Sequence, residues 1–195
     1  MIAEIDRCEE PVVLVGGWGG WGTSRSAAEA HPDPVALAIG VDSFAMGEGE
    51  CIDDELAAVV GEIGLHEWSD LDDANLIDLT QELRSAFRAV AILEPAAAVR
   101  ERRVLVDPRR HELASTMICC ESTSDQVRQS FCEERPWLAE FGAMTDVTFV
   151  DLPTGHWPSS PSGRSWRRHC SRLLRRCFSH LSTARASRAC RSALV

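Results

Sequence analysis

The sequence predicts an α/β fold: a parallel sheet of about four strands, flanked by helices and interrupted by a helical insertion. Three observations carry this prediction. Four short apolar runs recur along the chain, each ending in a turn or loop. Helical patterns alternate with them. Between the second and third runs lies a long acidic stretch whose apolar residues recur at helical rather than strand spacing.

The first run, Val12 to Val15, is wholly apolar and ends at Gly16, as suits a strand buried on both faces. Thr23 to Ala30 is rich in Ala and Ser and reads as a helix, with Thr23 as a candidate N-cap. His31-Pro32-Asp33-Pro34 stops it. Val35 to Val41 is a second buried strand, ending at Asp42. The strand–helix–strand length fits a parallel crossover. Residues 43–114 then form the predicted helical lid, with helices over Asp53–Ile63, Asp73–Ala91 and Glu94–Arg103. Leu76, Leu79, Leu83 and Phe87 give it one apolar face. Thr116–Cys120 is the third strand. A helix follows over Asp125–Phe141, broken near Pro136. Val147–Leu152 is the fourth strand and runs into the turn PTGHWP.

Composition narrows the partners. The chain has 195 residues, enough for one domain with a real core. Its net charge of −10 is unevenly placed. Every acid lies at or before Asp151, and nine Arg follow. An acidic body argues against nucleic acid as the partner of the main domain. Met1 to Glu10 lacks the apolar stretch of a signal peptide, and no run is long enough to span a membrane. None of the eight Cys forms a C-x-x-C pair, so no zinc ribbon is expected. Cys119 and Cys120 read as buried thiols. These features together predict a cytoplasmic protein with no metal, no cofactor and no membrane partner.

The turn after the first strand, GGWGGWG, admits two chemistries. Gly17, Gly19 and Gly22 match G-x-G-x-x-G between a strand and a helix, and Asp42 ends the next strand. That arrangement can hold a dinucleotide: backbone N–H groups take the pyrophosphate and the acid takes a ribose. Alternatively the turn is a nucleophile elbow, strand–G-x-S-x-G–helix. The ungapped register then puts Trp18 where Ser belongs, and a register one residue shorter puts Gly17 there. Neither side chain can attack a carbonyl.

Three further stretches bear on that choice. VDSFAMGEGE, STMICCESTSDQVR and TDVTFVDLPTGHWP resemble, in order, the sixth, seventh and eighth strands of α/β-hydrolase-fold proteins with their loops. The resemblance covers about Pro11 to Pro158. It implies a partial α/β-hydrolase fold in residues 1–158, beginning at the family's fifth strand, and hydrolysis of small-molecule esters by a Ser–His–acid triad without a cofactor. It also implies site residues. His156 would be the general base, Asp125 the acid that orients it, Asp42 the alternative acid and Glu121 a weaker option. Gly19, following the nucleophile position, would give an oxyanion N–H. With no nucleophile at Trp18 or Gly17, and without the family's earlier strands and second oxyanion donor, the expected activity is weak or nil.

Other roles remain open on sequence. Asp125 can equally cap a helix, Asp42 can simply end a strand, and the whole chain can be a non-catalytic ligand-binding or interaction protein. Its partner would then be a small-molecule substrate or ligand, and open sheet edges would favour self-association. Residues 159–195 are rich in Arg, Ser and Cys and contain no acid. That change near Pro158 is what out-of-frame translation of GC-rich DNA would give, so this tail is expected to be disordered.

Overall fold

The computed structural model describes residues 1–132 and 138–157. A short helix α1 (Ile2–Ile5) precedes β1 (Val12–Gly17), α2 (Gly19–Ala30) and β2 (Val35–Val41). Segment 43–114 follows, with β3 (Glu62–Ile63), α3 (Gln81–Val90), β4 (Glu94–Pro95) and α4 (Ala96–Arg100). The chain then forms β5 (Ser115–Cys119), α5 (Ser124–Cys132), α6 (Ala139–Gly142) and β6 (Val147–Asp151). The main sheet has the order β1-β2-β5-β6, and all its neighbours are parallel.

All-parallel strands are buried on both faces, and the residues obey this. One face carries Ala38, Met117 and Cys119, packed against Trp21 of α2, Val127 of α5 and Phe141 of α6. The other carries Val13, Leu37, Ile39, Val41 and Ile118, joined by Cys120 and Leu152 just beyond the strands. Trp21 has no exposed surface. Its ring fills the space that a Cβ at Gly40 would need, so α2 lies directly on β2.

The predicted strands appear where the apolar runs lie, but several helices differ. α2 begins at Gly19, not Thr23. Thr23 is no N-cap: its hydroxyl donates back to the Gly19 carbonyl at 3.1 Å, inside the helix. Glycines hide the first turn from a propensity reading. Segment 43–114 is not mostly helical. Asp53–Ile63 forms no helix, because Asp53 Oδ1 accepts the N–H groups of Glu55 and Leu56 in a local turn. Val60 and Gly61 then adopt φ of 53° and 84°. The helix expected over Asp73–Ala91 shrinks to a 3₁₀ turn, Asp73–Leu76, and α3. Thr80 restarts it by accepting from the Leu83 N–H. Glu94–Pro95 is a strand paired with Glu62–Ile63, and only Ala96–Arg100 of the third predicted helix is helical.

A buried ion cluster ties α2 to the base of β5. Glu140 accepts from Arg110 at 2.8 and 3.1 Å and meets His111 at 3.1 Å. Arg25, only 4% exposed, donates to the Arg110 carbonyl and stands 3.7 Å from the same carboxylate. Burial lowers the Arg25 pKa, opposed by Glu140. Pro136 and the tail 159–195, with their predicted break and disorder, lie outside the described residues. Among the described residues no helix is long and apolar enough to cross a membrane.

Candidate functional site

The ends of β1, β2, β5 and β6 all point the same way, and the candidate residues gather there. At the end of β1 the chain turns sharply into α2 through Trp18, whose φ of 45° and ψ of −126° are strained for a residue with a side chain. Gly16 makes the turn sterically feasible. A Cβ on Gly16 would collide with the Gly20 carbonyl. Such a strained strand-to-helix turn, flanked by glycines, is the backbone of a nucleophile elbow. The residue displayed at its tip is Trp18, 47% exposed; Gly17 is the last residue of β1. The Ser43 hydroxyl donates to the Trp18 carbonyl at 2.7 Å and fixes the turn from below.

Gly19 opens α2, where first-turn N–H groups have no acceptor within the helix. The spaces beside Gly19 and Gly22 are filled by Ile52 and by Met46 with Arg103.

His156, in the loop after β6, meets Asp42, not Asp125. Its Nδ1 lies 2.7 Å from Asp42 Oδ2. Asp42 follows β2 with a φ of 46°, which Asp tolerates better than most residues. Its Oδ1 accepts the N–H groups of Cys120 and Glu121 at 3.0 and 3.1 Å. One carboxylate thus joins the ends of β2 and β5 to the His156 loop. Asp125 lies exposed in the first turn of α5. Glu121 stands second, with Oε2 3.7 Å from His156 Nδ1. The hydrogen bond to Asp42 raises the His156 pKa above its ordinary value; partial burial opposes this, and Glu121 adds to it.

Several contributors escaped sequence reasoning. Asp78 accepts the Gly155 N–H at 2.8 Å and Asn75 donates to Glu121 at 3.3 Å. Both come from segment 43–114; Asp78 holds the His156 loop and Asn75 holds Glu121. Trp157 packs edge-on against His156, Phe87 and Trp68. Only their polar or aromatic character was visible in sequence; apart from the Trp157–His156 contact, these contacts are long-range.

The arrangement can orient an imidazole and accept a proton on its other nitrogen. It offers no hydroxyl or thiol at the elbow tip. Cys119 and Cys120 are buried, and burial pushes each thiol up to about 12, which leaves them unreactive. The ligand atoms of Asp42, Glu121 and His156 lie within 4.8 Å of one another. A cation there would have to displace the existing Nδ1 hydrogen bond.

No protein-family model and no curated protein matches the chain. Solved structures do. An extracellular alpha/beta-hydrolase from a Paenibacillus species superposes with a TM-score of 0.64 at 15% identity, covering 89% of this chain and 74% of that one. A methylesterase from Arabidopsis gives 0.60 at 15% identity, with 89% and 74% covered. Polyneuridine aldehyde esterase gives 0.54 at 13%, with 89% and 75% covered. At these identities the likeness speaks for the fold. The four-stranded parallel sheet, its helices and its elbow turn give this chain an α/β-hydrolase fold.

Proposed function

We propose that this protein is a hydrolase-like ligand-binding protein, related to small-molecule ester hydrolases, in which hydrolysis is lost or severely impaired. The observation that carries this reading is Trp18 at the tip of an otherwise well-formed elbow. The supporting parts fit the α/β-hydrolase resemblance. His156 serves as the base, Asp42 as the orienting acid and the Gly19 N–H as an oxyanion donor. Segment 43–114 acts as the lid over them. What is absent is the atom that would form the acyl intermediate. Loss of the nucleophile alone costs several orders of magnitude in rate in enzymes of this type.

Without a nucleophile, His156 still has an oriented imidazole beside a cavity, so a bound small molecule can be held and hydrogen-bonded but not acylated. The nucleotide-binding alternative gains no support from Asp42, whose two oxygens already serve His156, Cys120 and Glu121.

A fluorophosphonate probe tests this reading. The wild-type chain is expected to stay unlabelled under conditions that label an active serine esterase to completion. Stoichiometric labelling at a single Ser would overturn it.

A further inference from the structure

A cavity of about 780 Å³ opens where β1 and β2 end. Its sheet-side wall is Trp18, Val41, His156 and Trp157. The opposite wall, from segment 43–114, includes Ile63, Phe87, Val90 and Ile92. Trp18 and His156 also line a second cavity of about 420 Å³, on the side of Asp42 and Met117. The Trp18 side chain therefore stands between two spaces. The strained turn displays this indole instead of burying it, unlike Trp21 three residues on.

Charge is arranged as one-sidedly as shape. The sequence contains no Lys, and no Arg lies among the described residues lining the larger cavity. Its ionisable lining groups are Glu94, His66 and His156. Asp42 already balances a protonated His156, and Glu121 adds a further carboxylate 3.7 Å from the same nitrogen. In the larger cavity an anionic ligand would leave water to meet Glu94 and no cation other than the Asp42-paired His156, which is unfavourable. A neutral ring would gain apolar burial and aromatic contact.

We propose that the larger cavity binds a neutral, apolar, ring-bearing small molecule against the Trp18 indole and rejects the carboxylate of the same skeleton. This rests on the ligand-binding reading above. The position that would display a nucleophile then serves as a stacking platform, and the lack of a lining Arg, with Glu94 in the wall and His156 already paired to Asp42, sets charge selectivity.

Equilibrium dialysis of the full chain against methyl 2-naphthoate and against 2-naphthoate, near neutral pH, tests the proposal. The ester should bind saturably and the acid at least about tenfold more weakly. Val90 is 71% exposed at the end of α3 and lines the cavity. Val90→Arg should place a cation at the mouth and narrow the ester-to-acid ratio by roughly tenfold. Trp18→Ala should weaken the ester. Equal binding of ester and acid, no saturable ester binding, or an unchanged ratio in Val90→Arg would each overturn the proposal. Chromatography of the dialysate separates the two claims. Enzymatic release of naphthoate would sink the non-hydrolytic reading, while the binding ratio would still decide charge selectivity.

Discussion

His156 Nδ1 and Asp42 Oδ2 stand 2.7 Å apart, although 114 residues separate them in the chain. The contact exists because β2 and β6 end on the same side of a parallel sheet. Asp42 leaves β2 in a left-handed conformation that aims one oxygen at the imidazole and the other at the end of β5. This pair sets the protonation state of the site. Asp42→Asn keeps the shape and tolerates the same φ but removes the charge. It should lower the His156 pKa, followed by NMR titration of the imidazole, whereas Asp125→Asn should leave it in place.

The same pair predicts a pH dependence of stability. The folded His156 pKa is raised above an unfolded value near 6.5. The pair's contribution is therefore fully present below the unfolded pKa and is lost as pH rises through the folded one. Urea midpoints of wild type and His156→Gln should differ most on the acid side and converge above that range. A difference that grows with pH would contradict the assignment.

The elbow makes a contrast between two nearby glycines. A Cβ at Gly16 meets the backbone of Gly20, while a Cβ at Gly20 meets nothing within 4 Å. Gly16→Ala should cost about 3 kcal/mol or more, because backbone must move. Gly20→Ala should be neutral or stabilise by up to about 1 kcal/mol in a helix. Chemical denaturation of both variants measures the difference.

Glu140 is the common acceptor for Arg110, His111 and the nearby Arg25, and its side chain is only 7% exposed. Glu140→Ala would leave buried guanidinium charge without a counter-ion. The expected cost is about 3–5 kcal/mol, read from urea unfolding. A cost under about 1 kcal/mol would mean water reaches the cluster.

The sheet was the most legible part of the sequence, because continuous apolar runs such as Val35–Val41 have few alternatives. The elbow was visible from its glycines, but not which residue occupied its tip. Trp18 and Gly17 differ by one residue of register, and only the backbone angles of Trp18 separate them. Segment 43–114 was misread because its acids and Leu spacing imitate an amphipathic helix. Local side-chain turns at Asp53 and the cap at Thr80 break that pattern. The contacts of Ser43, Asn75 and Asp78 depend on how distant loops meet, which no local pattern encodes.

On the proposed reading, Trp18 occupies a nucleophile position served by His156, and one substitution tests it. Trp18→Ser should gain fluorophosphonate labelling at residue 18 that the wild type lacks, and His156→Ala added to it should remove that gain. If a folded Trp18→Ser stays as unreactive as the wild type, or reacts equally without His156, the turn is not a nucleophile elbow in chemical terms.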